Sequence, residues 1–334
     1  MKAYAAYLLT RLGQFVLVVF IGINIAFIVT HATPIDPVEQ SIAAATQFGT
    51  TSPEAIAQMR QSLRELYGLQ GGFAEQYAAF WRRIVVGDFG PSLSAFPTPV
   101  AVLIGRALPW TVALLVTSTL LTWVAGNLLG GLAGYYRKSH VLRFAGILAM
   151  AFHPIPYYIV AFLLLIVFGY LWPVLPISGG YTMNMVRQWS WPFIGSLLSH
   201  AILPVLSLAL VGLGGWFMGM RSLVSNVVTE DYVAYAELGG VPKRRILGSY
   251  VMRNALVPQV TGLAMSLGAI FNGAIITEQV FGYPGVGTLL VSAVHAGDYS
   301  LVLGITTVSI LAVSVAVLLI DLAYPLLDPR VRAR

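Results

Sequence analysis

The chain has 334 residues, 57% hydrophobic and 10% charged, with a mean hydropathy of +0.80 and a formal net charge of +6. Soluble domains carry about 25% charged residues, so a water-soluble globule is excluded, and charges clustered between long uncharged runs are the pattern a hydrocarbon solvent imposes. The absence of cysteine excludes disulfides, thiol catalysis and cysteine-ligated metal centres.

In chain order, six uncharged stretches are long enough to cross a hydrocarbon layer of ~30 Å, which takes about 20 residues at ~1.5 Å each. They are Leu12 to Thr30, Pro109 to Ala133, Phe144 to Pro173, Ser190 to Met220, Asn254 to Thr277 and Leu301 to Ile320. The first follows Lys2 and Arg11, but its apolar run exceeds the roughly 7 to 15 residues of a signal-peptide core, so it reads as a retained helix. With the N-terminus inside, thirteen of the nineteen basic residues fall on inner segments. Five of the other six lie in one long outer loop, which translocates with little regard to charge. Both termini are therefore expected in the cytoplasm. The same distribution accounts for the positive charge without nucleic acid. The chain then divides into a first segment and span over residues 1–30, an outer loop over 31–108, and a core over 109–334 that includes an inner loop over 221–257.

Within the outer loop, Ser52 is placed to cap a helix, Pro53 suits its first position and Glu54 its dipole, while Ile56, Met59, Leu63, Leu66 and Tyr67 recur at helical spacing before Gly68. This amphipathic helix is expected to pack on the outer ends of the spans, with the membrane face as the alternative. In the third span His153 lies about nine residues in, or roughly 14 Å, near the bilayer centre. Pro154 and Pro156 follow it, and broken helices tend to line cavities. Two readings stand for His153: it faces a translocation pathway, or it is a neutral ring bonded to a neighbouring helix. Asn272 and Ser118, within the run Thr117-Ser118-Thr119, are weaker candidates of the same kind. Glu278 and Asp321 fall near span ends by helical rise, where capping or structural pairing is favoured over proton relay.

The inner loop is the most informative stretch. Thr229 is a candidate cap, Glu230 and Asp231 occupy a first turn, Ala234, Ala236 and Glu237 follow, and Gly239-Gly240 stops the helix. A second helix starts at Pro242, with Lys243, Arg244 and Arg245 at the surface and Ile246, Leu247, Tyr250 and Val251 as an apolar face. Composition alone leaves open whether this is a positive-inside loop with no other role or a docking element. The chain cannot supply a phosphate-binding loop, because its three lysines, Lys2, Lys138 and Lys243, follow Met1, Arg137 and Pro242, where that motif needs glycine before the lysine. It has no His-Glu-x-x-His or Gly-x-Ser-x-Gly motif either.

Ala236-Glu237-Leu238-Gly239-Gly240 followed by Asn254-Ala255-Leu256-Val257-Pro258 resembles the EAA loop of ABC importer permeases, departing from it at Leu238, where that family often has a second small residue. Other stretches resemble one branch, the first permease subunit of dipeptide and oligopeptide importers. They are Pro53 to Leu69, Gly87-Asp88-Phe89-Gly90 with Ser92-Leu93, Leu175-Pro176-Ile177-Ser178-Gly179, Glu278-Gln279-Val280-Phe281 with Pro284-Gly285-Val286-Gly287, Asp298-Tyr299, and Leu327-Asp328-Pro329-Arg330. The order and spacing of these fragments, over nearly the whole chain, carry the resemblance.

The resemblance implies an all-α integral membrane protein with the six-helix type I permease architecture, a multi-pass protein of a bacterial cytoplasmic (inner) membrane. It implies import of di- or oligopeptides by alternating access, or of nickel complexes, glutathione or oligosaccharides in the same importer type. The chain would not be an enzyme and would bind no cofactor, with ATP and Mg held by two partner ATPase subunits. Coupling to them falls to Glu230, Asp231, Ala234, Ala236, Glu237, Gly239, Gly240, Lys243, Arg244 and Arg245. The other implied partners are a homologous second permease, an extracytoplasmic substrate-binding protein and membrane lipid. Competing classes are an ATPase-independent channel or secondary transporter, for which the sparse acids supply no mid-membrane charges, and an intramembrane enzyme, which would depend on His153.

Overall fold

The computed structural model describes residues 2–32, 37–46, 52–66, 71–268 and 274–327. Among them all regular structure is helical apart from one isolated bridge between Pro91 and Pro99. The helices are α1 (Lys2–Ala32), α2 (Pro37–Thr46), α3 (Pro53–Leu66), α4 (Phe73–Val86), α5 (Val100–Tyr135), α6 (His140–Phe152) and α7 (Tyr157–Leu165), which continues as a π-helical segment, Ile166–Leu171. Then come α8 (Trp191–Val227), α9 (Asp231–Leu238), α10 (Lys243–Arg245) running into a second π segment, Ile246–Met252, and α11 (Arg253–Gly268), α12 (Ala274–Val280), α13 (Val286–His295) and α14 (Tyr299–Leu327).

Among the described residues four stretches are long and apolar enough to cross a membrane: Tyr7–Thr30, Val100–Tyr135, Trp191–Val227 and Tyr299–Leu322. The pair α6 and α7, bent by 105° at its break, makes a fifth if counted as one span. The third expected span is thus this broken pair, its break falling at Pro154 and Pro156. The fifth, Asn254 to Thr277, is shared between α11 and α12, and residues 269–273 between them lie outside the described residues. One edge needs correction. Helix α5 starts at Val100, nine residues before the expected Pro109, which sits inside the helix. Arg106 hid that start, because a charge marks the limit of an uncharged run and not the end of a helix.

The chain divides into two units, Met1–Thr111 with Pro284–Leu318 and Val112–Tyr283 with Leu319–Arg334. In the first, α4 lies against α1. Phe73, Tyr77 and Phe80 surround Phe27 at ring-centroid distances of 5.6, 5.4 and 4.7 Å. Trp81 stacks on Phe20 at 5.5 Å, and the Tyr77 hydroxyl donates to Asn24 Oδ1 at 2.6 Å. The expected amphipathic helix is α3, and Ser52 Oγ accepts the Ala55 N–H at 3.3 Å as its cap. Its tie, however, is to α2, through paired bonds from Arg60 to Glu39 of 2.6 and 3.0 Å. Gly68, expected to end it, lies outside the described residues.

The core of this unit is Val100, Ile104, Ala107, Val286, Ala293, Leu301 and Ile305, with Phe89 packed against it. A completely buried carboxylate fastens the loop between α4 and α5 to this core. Asp298 stands just before α14, where its Oδ1 accepts the Leu301 N–H at 3.0 Å. Its Oδ2 accepts the Ser92 hydroxyl, the Ser94 N–H at 3.0 Å and the Ser94 hydroxyl at 2.9 Å. Two sequence fragments, Gly-Asp-Phe-Gly-Pro-Ser-Leu-Ser and Gly-Asp-Tyr-Ser, are thereby joined through charge-assisted bonds.

In the second unit α8 is the spine. A Cβ on Gly126, Gly130 or Gly134 of α5 would collide with Trp216, Phe217 or Arg221 of α8, so the two backbones approach as small-residue faces allow. Ala133, Ala149 and Phe217 form one buried cluster and Ala161, Leu203 and Phe281 another.

Asp298→Ala strands four donors in the first unit, the Leu301 and Ser94 amides and the Ser92 and Ser94 hydroxyls. It is expected to cost on the order of 3 kcal/mol of stability, with Asp298→Asn costing less, since one acceptor oxygen survives. Thermal unfolding of the purified protein measures both, and equal midpoints for wild type and Asp298→Ala would refute the clamp.

Candidate functional site

The inner loop folds back on its own unit. Met220 and Val224 of α8, Val233 and Ala236 of α9, Ile246 and Val251 of the π segment, and Ala255 of α11 share one buried cluster. Val233 and Ala236 point inward at i and i+3, so the other face of α9 is left open. Tyr235 is 71% and Leu238 85% exposed, and Tyr232 is partly open. Of the sequence candidates, Ala236 is buried, while Glu230, Asp231, Ala234, Glu237, Gly239, Gly240, Lys243, Arg244 and Arg245 are exposed. Sequence reading dwelt on the charges and small residues and passed over this apolar stripe. The i, i+3, i+6 spacing of Tyr232, Tyr235 and Leu238 was the available signal.

The start of α9 differs from expectation. Thr229 does not cap it; its hydroxyl donates backward to the Asn226 carbonyl at 2.7 Å and so finishes α8. Glu230 precedes the helix in extended conformation, and its own carbonyl accepts the Val233 N–H at 3.0 Å. The end of α9 agrees with expectation and has a specific geometry. Gly240 adopts φ +73°, its N–H returns to the Glu237 carbonyl at 3.1 Å, and the Val241 N–H returns to the Ala236 carbonyl at 3.1 Å. These are the two reversed bonds of a Schellman turn, which needs a left-handed residue. Nothing lies within 4 Å of a Cβ built on Gly240, so glycine is required there by backbone angle and not by crowding.

After the turn, Arg245 and Ile246 donate to the Pro242 carbonyl at 2.8 and 3.1 Å, which starts the second helix where expected. It then departs into the π segment before α11 resumes α geometry. Asn254 Nδ2 donates to the Tyr232 hydroxyl at 3.0 Å and to the Tyr250 carbonyl at 2.7 Å. That side chain ties α9 to the start of α11.

Among the membrane-depth candidates, His153 sits at the bend after α6, exposed on this chain, with Nδ1 3.1 Å from the Val211 carbonyl of α8. Since a carbonyl only accepts, Nδ1 carries the proton. Ser118 is buried and donates to the Leu115 carbonyl of its own helix at 3.0 Å. Asn272 lies outside the described residues. No group of three or more His, Asp or Glu placed to hold a metal occurs among the described residues.

Glu278, expected near a membrane interface, is fully buried within its unit. Burial first and the Glu278 charge second push the neighbouring Tyr283 phenol up to about 12 from 10.0. Its stabilising contribution is therefore whole below pH 10 and is lost only as pH rises toward about 12. The Gly179 N–H donates to the Phe281 carbonyl at 2.9 Å, which joins two more of the sequence fragments.

The family model described as binding-protein-dependent transport system inner membrane component matches residues 126–333, a stretch that contains His153 and the whole inner loop. The chain is 29% identical to the oligopeptide transport system permease protein AppB of Bacillus subtilis over 331 residues, 98% of this chain and 99% of that one. It is 26% identical to the dipeptide transport system permease protein DppB of the same organism over 328 residues, 98% of each. It is 33% identical to the oligopeptide transport system permease protein OppB of Mycobacterium bovis over 273 residues, 79% of this chain and 82% of that one.

A Cβ on Gly214 would lie 2.6 Å from His153 Cβ and 2.7 Å from the Ala149 carbonyl oxygen. Gly214→Ala is therefore expected to push α6 from α8 and lower stability by about 1–3 kcal/mol, read as a drop in thermal midpoint. An unchanged midpoint would show that the bend tolerates a looser contact.

Proposed function

The chain belongs to the family of binding-protein-dependent transport system inner membrane components, and from that we infer that α9 and its glycine turn are the part gripped by a separate ATP-hydrolysing subunit. The chain is a permease subunit, a multi-pass protein of the inner membrane, and its relatives are permeases and not catalysts. The observation that carries the inference is α9 itself, anchored inward by Val233 and Ala236 and presenting Tyr235 and Leu238 outward. A helix with one face fixed to its own protein and an apolar stripe left open is a docking element.

The cargo is a peptide, in keeping with the names of the three relatives. The working transporter pairs this chain with a homologous permease, gives each one ATPase subunit holding ATP and Mg, and receives cargo from an extracytoplasmic binding protein. The lack of a Gly-Lys-Ser or Gly-Lys-Thr sequence in this chain supports placing the nucleotide on a partner. Six spans and cytoplasmic termini follow from the uncharged run Asn254 to Thr277 and the inner basic residues.

Movement of α9 reaches the membrane through the shared cluster with α8 and α11 and through the Tyr232–Asn254 bond. Closure of the ATPase pair pushes α9, and α8 and α11 tilt with it, which is the requirement for alternating access. Lys243, Arg244 and Arg245, exposed after the turn, complement acidic groups on the docking surface. Of the pathway candidates, His153 has the best support, since it is exposed at a broken helix; Ser118, bonded within its own helix, is better read as structural.

Gly240→Val tests the reading in the complete transporter. A β-branched residue at this φ costs on the order of 1–3 kcal/mol, so the expected outcome is normal membrane insertion with peptide uptake and peptide-stimulated ATP hydrolysis lost. Gly240→Asn, which tolerates the left-handed region, is expected to retain a measurable part of both. Full uptake and stimulation in Gly240→Val would overturn the docking assignment.

A further inference from the structure

The segment that joins the π turn after α7 to α8 holds large apolar side chains outward although its own contacts keep it in place. From Tyr170 to Ser199 the sequence carries one charged residue, Arg187, and three of the chain's seven tryptophans. Met183 is 89% exposed, Trp189 91% and Trp191 86%, and Trp172, Val174 and Val186 are also uncovered.

The pins are specific. The Thr182 N–H donates to Ser196 Oγ at 2.8 Å, and the two hydroxyls lie 2.9 Å apart. The Tyr181 ring packs on Phe193 with centroids 5.5 Å apart. Arg187 Nε donates to the Tyr181 hydroxyl at 2.7 Å, with its guanidinium 5.1 Å above that ring. Asn184, beside Met183, holds φ +66°, a left-handed conformation that asparagine tolerates better than most residues. A fixed turn that points indoles and a methionine away from its own body is built to meet something apolar.

We propose that this segment is an interfacial anchor, seated in the headgroup layer of the lipid bilayer where the spans on either side of it end. Continuity carries the choice of occupant. Phe162, Leu163 and Ile166 on one side and Leu198 and Ile202 on the other are uncovered apolar surface of membrane helices, and they run into Trp172 and Trp191 without a charged residue between. Indole suits that boundary, with an apolar body and one N–H donor, and the lone arginine suits a lipid phosphate. A docked protein would be expected to meet a charged rim, and this stretch has no charge beyond Arg187, its exposed Thr182, Asn184 and Gln188 being neutral. The inference rests on the chain spanning a bilayer. It holds for any cargo and for either orientation.

The absence of native cysteine permits single nitroxide labels at Met183→Cys and Trp189→Cys in the complete transporter in lipid nanodiscs, with exposed Lys138→Cys as the aqueous reference. The expected result is strong collision with oxygen and weak collision with a nickel chelate at 183 and 189, placing both labels roughly 5–10 Å into the headgroup and acyl boundary. Strong nickel collision at both positions, as at 138, would put the segment in water. Weak collision with both reagents would put it against protein. Either of those results overturns the proposal.

Discussion

Inside a hydrocarbon layer a backbone amide or carbonyl without a partner finds no water, and each such group costs several kcal/mol. The interruptions in this chain's apolar helices answer to that constraint, and the turn after α9 follows the same pattern of local repairs. Between α6 and α7, Pro154 and Pro156 bring no N–H, the Ile155 N–H returns to the Phe152 carbonyl at 3.1 Å, and His153 supplies an extra donor to Val211 of α8. After the first π segment, the N–H groups of Val174 and Leu175 share the Phe168 carbonyl at 3.2 Å. At the end of α9 one left-handed glycine lets two amides fold back on the helix they have just left. At each break the chain changes direction and some of the amides freed from the helix ladder find carbonyl partners close by.

Packing explains how a short helix is fixed to long ones. Helix α9 has eight residues, too few to hold shape alone. Its rigidity comes from the buried face it shares with α8, the π segment and α11, and from the reversed bonds at its end. A π segment between the basic triplet and α11 adds a residue to the turn, the kind of irregularity that accumulates at functional positions.

What the sequence disclosed was governed by solvent. Uncharged runs fell on the four long apolar helices and on the bent pair of α6 and α7, because hydrocarbon forbids charge, yet they set helix ends poorly. Helix α5 starts nine residues before Pro109 because Arg106 interrupts the run without interrupting the helix. Helix α4 went unread although Phe73, Tyr77, Phe80 and Trp81 lie on one side of it, since aromatic residues beside arginines look like loop to a hydropathy scan. Thr229 was a sound capping residue with two helices to choose from, and only geometry showed that it serves the earlier one. Gly239-Gly240 was legible as a stop, while which glycine needs the left-handed angle was not. The burial of Glu278 was invisible, because rise along a helix gives depth in the membrane and says nothing of what packs around it.

The clamp at Asp298 has a consequence for how the protein is made. Its serine partner lies 206 positions earlier in the chain, so at about 5–20 residues per second a ribosome takes roughly 10–40 s to deliver the carboxylate after Ser92 has emerged. Through that interval the strap before α5 has hydroxyls and an amide with no carboxylate to receive them. Biogenesis of the first unit therefore waits on Asp298: a nascent chain stalled before that residue would carry the strap unfastened, a form quality-control proteases could distinguish from the finished protein.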